Sequence, residues 1–202
     1  QAFLLADVAQ RQGNGRIGLT NRASLQLRGF GADAARRFPE IAVAAGLGLS
    51  DAGMERRQAM LVSPLAGDDP SCAAQTVACA ESLRTALIGA EELTALPGKF
   101  GFAVDGGGLY LAGLLQADIT LRATEDGLWS VVCGAMCAAP TTYTLAVGQA
   151  VALARAFVTS HQSVRPQRGQ AVGQVLFQIL GLTGQVLAPK PTQAEVCCGR
   201  VG

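Results

Sequence analysis

The sequence has a single histidine, His161, and only two lysines, and charged residues make up 15% of it. One histidine excludes, within this chain, a Ser-His-Asp triad and a metal site built from several histidines. A phosphate-binding P-loop is also absent, and the glycines at 106–108 are not followed by the helix-opening pattern of a dinucleotide fold. The formal net charge of +1 offers no overall field for nucleic acid or an anionic membrane. Any binding of anions therefore depends on local groups.

No charged segment precedes the apolar residues 1–6, so we expect no signal peptide and a cytoplasmic protein. The longest uncharged stretch, 127–154, has 28 residues and is long enough for a membrane helix. A proline and several glycines interrupt it, however. We therefore predict no membrane span, but a hairpin over 118–132 with its turn at Asp126-Gly127, followed by a core helix over about 145–160.

Half of the residues are apolar, and 202 residues are enough to bury a sizeable core. Segments with helical spacing of apolar residues are interspersed with strand-like segments, which indicates an α+β protein. Helices are predicted at Ala2–Gln12, Ala32–Gly46, Cys72–Gly89 and Ala171–Leu182, and strands at 19–30, at 99–104 and in the hairpin.

Residues 19–30, LTNRASLQLRGF, alternate polar and apolar side chains with a period of two, as a half-buried strand does. This pattern places Arg22, Gln26 and Arg28 on one face. A guanidinium makes two charge-assisted hydrogen bonds to a carboxylate or phosphate, and the two arginines lie roughly 20 Å apart at the rise of a strand. The face therefore fits a ligand with several carboxylates, and the alternative is an ordinary solvated sheet face.

Two further segments combine apolar and turn-forming residues. SPLAGDDP, residues 63–70, is typical of a loop that leads into a helix, which Asp69 or Ser71 would cap. LPGKFGFAVDGGG, residues 96–108, predicts a turn, a strand and, from Asp105, a triple-glycine loop. Such a loop lets backbone approach a ligand closely, although glycine loops also serve as plain turns.

Together these segments carry a resemblance. TNRASLQLRG, PLAGDDP and LPGKF occur in the order and approximate spacing of the N-terminal half of the sulfite and nitrite reductase superfamily. The form LPGKFGFAVDGGG is most similar to the precorrin-3B synthase branch. The resemblance extends from about Leu5 to about Arg122.

The resemblance implies three parts. Residues 1–55 are expected to form a ferredoxin-like half-domain whose first strand is missing, and 56–165 a sulfite/nitrite reductase-type α+β domain. Residues 166–202 are expected to form a helical connector toward a second half. The sequence is therefore interpreted as a fragment that lacks its C-terminal half.

The resemblance also assigns roles to individual residues. Arg22 and Gln26 would face a tetrapyrrole, with Arg22 pairing with a carboxylate, and Arg28 shares their polar face. Lys99 matches a basic residue that lines the distal pocket of the reductases and is the predicted catalytic residue. Arg57 is matched to an arginine of the anion pocket.

For the whole protein, the resemblance implies an oxidoreductase that uses a 4Fe-4S cluster and dioxygen to hydroxylate precorrin-3A and form a lactone. The cluster ligands would lie outside this chain, the electron donor is not indicated, and the fragment alone is expected to be inactive. A siroheme-dependent sulfite or nitrite reductase is the alternative, which Gly101 weakens because sulfite reductases carry a second lysine there. A non-catalytic tetrapyrrole-binding module is an alternative of another class.

Six cysteines in a cytoplasmic chain indicate buried thiols or metal ligands rather than disulfides. Cys72-x6-Cys79 and Cys133-x3-Cys137 partly match the C-x5-C and C-x3-C pairs that hold the superfamily's cluster. Those pairs follow the second half of the family's proteins, however. We therefore predict that Cys72 and Cys79 are buried side by side on one helix face, and that this chain holds no metal.

Overall fold

The computed structural model describes residues 1–20, 24–109, 117–163 and 171–186. The helices within these ranges are α1 (Ala2–Gln12), α2 (Ala32–Ala44), α3 (Ala52–Arg57), α4 (Thr76–Gly89), α5 (Tyr143–Ser163) and α6 (Ala171–Ile179), with a 3-10 helix at Glu91–Ala95. The strands are β1 (Ile17–Leu19), β2 (Leu25–Leu27), β3 (Met60–Val62), β4 (Phe102–Asp105), β5 (Ile119–Ala123), β6 (Trp129–Cys133), β7 (Met136–Ala138) and β8 (Gly184–Val186). The predicted α+β class is confirmed.

The larger sheet has six strands in the order β3-β4-β5-β6-β7-β8. Strands β3, β4 and β5 are parallel, and each pair from β5 to β8 is antiparallel. Helices α4 and α5 pack against the sheet, and Leu83, Leu87, Trp129 and Leu153 are fully buried between these layers. This core fixes the carboxyl ends of three parallel strands at one edge of the sheet.

Most predicted elements are present. Helix α1 has the predicted bounds, and α2 continues through Pro39. The hairpin of β5 and β6 is confirmed, with Gly127 in its turn at φ +74°. The uncharged stretch contributes β6, β7 and the first half of α5, and no helix in the described part of the chain is long and apolar enough to cross a membrane.

The single strand predicted over 19–30 is wrong. Strands β1 and β2 form an antiparallel pair, in which Ile17 faces Leu27 and Leu19 faces Leu25. The chain turns back after Leu19, where the backbone N–H of Thr20 donates to the carbonyl of Ser24 at 3.0 Å. A hairpin keeps the period of two in both arms, so the alternation alone does not distinguish it from one strand. The 20 Å spacing expected along a single strand therefore does not apply.

Residues 1–55, predicted as a half-domain, contain α1, the β1-β2 pair and α2. No residue of α2 is buried, although the helix carries apolar side chains. The predicted connector 166–202 overlaps the sheet, because β8 pairs with β7 and both Leu176 and Phe177 of α6 belong to the main core. The predicted three-part division stays a prediction.

Candidate functional site

A cleft of about 760 Å³ lies between strand β2 and helix α2. Its polar lining includes Ser24, Gln26, Arg28 and Glu55. Apolar side chains form the rest of its wall: Leu5, Leu25, Leu27, Phe30, Ala35, Phe38, Ala42 and Leu47. A large apolar surface with a few convergent polar groups is the usual composition of a ligand site.

Gln26 and Arg28 are brought together at this cleft, as predicted. Nη2 of Arg28 donates to Oε1 of Gln26 at 2.6 Å, and both side chains are exposed. The carbonyl of Arg28 also accepts from the N–H of Asn14 at 2.9 Å, which anchors the backbone. Among the described residues, the remaining guanidinium nitrogens of Arg28 have no hydrogen-bond partner, so they are available to a carboxylate.

The N-terminal part of the chain, to which the cleft belongs, has a net positive charge. Residues 1–58 contain eight arginines against five acidic residues, whereas the rest of the chain is slightly acidic. Glu55 lines the cleft, but its Oε2 accepts from the N–H of Leu49 at 2.7 Å and from Nε2 of Gln58 at 2.6 Å. Hydrogen bonds from protein donors therefore fix the carboxylate of Glu55. Arg22, the third residue predicted for the polar face, lies outside the described residues.

Lys99 lies on a turn before strand β4. The N–H of Phe100 donates to the carbonyl of Pro97 at 2.8 Å, and the Phe100 ring packs on Phe102 and Phe157. Packing thus fixes the turn and leaves Lys99 exposed. Lys99 is not among the residues that line the cleft of Gln26 and Arg28, so its predicted catalytic role stays a prediction.

Arg57 is buried at the end of α3. Its Nη2 donates to the carbonyl of Ile88 at 2.9 Å, and Nη1 donates to Oγ1 of Thr94. These bonds join α3 to the end of α4 and to the 3-10 helix. The anion-binding role predicted for Arg57 stays a prediction, and the structure gives this side chain a role in packing.

The loop after β3 and the glycine loop after β4 are joined to each other. Asp69 Oδ2 accepts from the N–H of Leu109 at 2.7 Å, and Oγ of Ser63 accepts from the N–H of Gly106 at 2.9 Å. A Cβ on Gly106 would lie 1.9 Å from Oγ1 of Thr76. The group that closely approaches the backbone of Gly106 is therefore a side chain of the protein, that of Thr76.

The predicted helix cap is wrong. Asp69 Oδ1 accepts from the N–H and the hydroxyl of Ser71, which closes a local turn, and helix α4 begins only at Thr76. The four residues before Thr76 do not continue the helix because Cys72 pairs with Gly107 in an isolated β-bridge.

Sequence reasoning did not assign a role to the pair of Asp105 and Arg122. Asp105 ends β4 and faces Arg122 in β5, and Nε of Arg122 lies 3.4 Å from Oδ2 of Asp105. Two features of the sequence could have indicated this pair. An acidic residue precedes three glycines, and a basic residue lies near the end of a hairpin arm. Both residues lie where parallel strands end.

The four cysteines in the described part of the chain do not fit an iron-sulfur cluster. Cys79 is fully buried, and burial raises its pKa to about 12. Burial, and to a lesser extent the charge of Asp118, raises the pKa of Cys133 to about 11. Cluster ligands are thiolates, which these surroundings disfavour. Among the described residues there is no group of three or more potential metal ligands.

The predicted placement of two cysteines is partly wrong. Cys72 is buried but precedes α4, so it does not share a helix face with Cys79. Its Sγ lies 3.4 Å from Oγ1 of Thr76 instead. Cys197 and Cys198 lie outside the described residues.

Two curated proteins are similar to part of this chain. A precorrin-3B synthase of a Sinorhizobium species is 36% identical over 131 residues, which cover 62% of this chain and 26% of the synthase. A ferredoxin–nitrite reductase of Synechococcus elongatus is 35% identical over 112 residues, which cover 53% of this chain and 22% of the reductase. No protein-family model matches the chain.

The chain spans about a quarter of the length of these curated relatives. Similarity to both a synthase and a reductase is what the motifs in residues 19–30, 63–70 and 96–108 predicted. The resemblance to precorrin-3B synthases within the sulfite and nitrite reductase superfamily is thereby confirmed for part of the chain.

Proposed function

We propose that this chain is the tetrapyrrole-binding part of an oxidoreductase of the precorrin-3B synthase type. The observation that carries the proposal is the cleft where Gln26 and Arg28 meet beside a largely apolar wall. A tetrapyrrole offers a broad apolar ring with carboxylates at its rim. A guanidinium at the mouth of an apolar cleft suits both features.

The reaction proposed for the whole protein is the O2-dependent hydroxylation of precorrin-3A with formation of a lactone, as part of cobalamin synthesis. The similarity to a precorrin-3B synthase supports this reaction. The four described cysteines do not fit a 4Fe-4S cluster, so we place the ligands of any such cluster elsewhere in the protein. The chain by itself is accordingly expected to bind a tetrapyrrole without turnover.

A titration with a porphyrin that carries rim carboxylates tests the binding step. Quenching of porphyrin fluorescence gives its affinity for the chain, and the methyl ester of the same porphyrin serves as the matched ligand without charge. We expect the acid to bind more tightly than the ester. Equal affinities would show that the charged residues contribute nothing.

Variants locate the binding site. Arg28→Gln and Arg22→Ala are each expected to weaken binding of the acid by about fivefold or more, the scale of one lost charge-assisted hydrogen bond. Arg155→Gln is the control, because Arg155 is exposed on α5 and pairs with Glu92, and neither residue lines the cleft. If Arg155→Gln weakens binding as much as Arg28→Gln does, the cleft is not the site.

A siroheme-dependent nitrite or sulfite reductase is the second candidate, because the nitrite reductase is similar over half of this chain. In that case Arg28 would bind siroheme carboxylates and Lys99 would help bind the oxyanion. Gly101, where sulfite reductases have a second lysine, favours the synthase. Siroheme absorbance in the whole purified protein would favour the reductase.

A further inference from the structure

Arg122 lies at the edge of the sheet where three parallel strands end. It faces Asp105 across the β4-β5 pair, beside the glycine loop that follows β4. Ser63, which follows β3, bonds to the first glycine of that loop. Ligands of open parallel sheets commonly bind at this carboxyl edge, because the loops there present backbone and side chains together.

The guanidinium of Arg122 uses one nitrogen within the protein. Nε lies 3.4 Å from Oδ2 of Asp105, whose other oxygen accepts from the N–H of Gly107 at 3.2 Å. Asp105 is buried, whereas 36% of the Arg122 side chain is exposed. Neither Nη group of Arg122 has a hydrogen-bond partner among the described residues. The pair therefore fixes the guanidinium and leaves its two-pronged end open.

Arg57 of the same chain offers a comparison, because its guanidinium bonds to groups within the protein. Both of its Nη groups bond to protein acceptors, and the residue is 7% exposed. Arg122 has the opposite arrangement: its Nε is engaged, and neither Nη group has a hydrogen-bond partner among the described residues. Two parallel N–H groups on a fixed plane match a carboxylate.

We infer that Arg122 binds a carboxylate of the ligand and that Asp105 is its positioning residue. This inference rests on the proposed function for the identity of the ligand, a macrocycle with carboxylates around its rim. Arg122 does not line the cleft of Gln26 and Arg28. Arg122 and Arg28 therefore take different carboxylates of the same molecule.

The porphyrin titration tests this inference with three variants. Arg122→Gln is expected to weaken binding of the acid by about fivefold or more. Arg122→Lys keeps the charge beside Asp105 but loses the planar fork, so it is expected to weaken binding by a smaller factor. Arg155→Gln is expected to change the affinity by less than about twofold, since it removes only an exposed charge that does not line the cleft. Circular dichroism checks that each variant is folded.

Asp105→Asn tests the positioning role. It is expected to weaken binding in the parent chain but to have no further effect in the Arg122→Gln background, because it acts through Arg122. A purely structural role would produce the same loss in both backgrounds. That result would remove Asp105 from the inference.

The outcomes separate this inference from the proposed function. If Arg28→Gln weakens binding and Arg122→Gln does not, Arg122 is outside the site and the proposed function stands. If the parent chain binds acid and ester equally, both fail. Weaker binding of the acid by Arg122→Gln, with unchanged binding of the ester, supports both.

Discussion

The carboxylate of Asp69 accepts a hydrogen bond from the backbone N–H of Leu109 at 2.7 Å, across 40 positions of sequence. The same carboxylate holds the N–H and hydroxyl of Ser71. One side chain of the loop at 63–70 thus holds the residue that directly follows the glycine loop. Asp69 therefore stabilises the end of the glycine loop beside Arg122 rather than a helix.

Asp69→Asn is expected to lower the melting temperature at neutral pH but not in acid. The hydroxyl of Ser71, the N–H of Leu109 and the N–H of Ser71 lower the pKa of Asp69 from its ordinary value of 3.8. Its contribution to stability is therefore present above that value and is lost as the pH falls through the lower pKa of the folded state. The difference between the melting temperatures of the two proteins should shrink as the pH falls below 3.8.

Asp68→Asn is the control for this experiment. Asp68 is exposed, and its side chain makes no hydrogen bond within the described residues. A pH-dependent loss of stability as large in Asp68→Asn would indicate general repulsion rather than the bonds of Asp69.

Gly106→Ala is expected to destabilise the protein by about 1 to 3 kcal/mol, the usual cost of overpacking. The added Cβ would lie 1.9 Å from Oγ1 of Thr76 and 2.7 Å from Sγ of Cys72. Gly98→Ala is the matched control, since nothing lies within 4 Å of a Cβ at that position. Urea denaturation of both variants measures the difference, and equal stabilities would show that the loop moves to admit the methyl group.

Local sequence patterns predicted three of the elements. Helix α1, the β5-β6 hairpin and helix α5 have local patterns that agree with their tertiary contacts, so the sequence located them. Helix α4 begins four residues later than predicted, because the bridge between Cys72 and Gly107 holds the preceding turn. That bridge joins residues 35 positions apart, and no local pattern records it.

The residues of the candidate site also divide into those whose placement a local pattern predicts and those whose placement it does not. Gln26 and Arg28 were placed together correctly, because two residues on one strand arm share a face whether or not the chain forms a hairpin. The partners of Arg57 and Arg122 depend on which strands and helices are neighbours in space. The sequence alone therefore does not show that Arg57 is buried and that Arg122 is partly exposed.

Arg57→Ala is expected to lower the free energy of unfolding by about 2 kcal/mol, because it leaves the carbonyl of Ile88 without its partner and removes a buried side chain. Arg56→Ala is the neighbouring control: Arg56 is exposed and makes one long hydrogen bond, of 3.4 Å, within its own helix. Urea denaturation measures both. If Arg57→Ala leaves stability unchanged yet weakens porphyrin binding, the residue acts as an anion ligand as the sequence predicted.

The buried thiols are expected to resist alkylation while the protein is folded. Burial excludes the reagent, and the raised pKa values of Cys79, about 12, and Cys133, about 11, leave almost no thiolate at about pH 8. Cys137 is partly exposed and should react first of the three. Treatment with iodoacetamide, followed by mass spectrometry of the peptides, measures each site, and the same treatment in urea is the control in which all three react. Rapid labelling of Cys79 or Cys133 in the folded chain would show that these thiols are accessible, and would reopen their candidacy as cluster ligands.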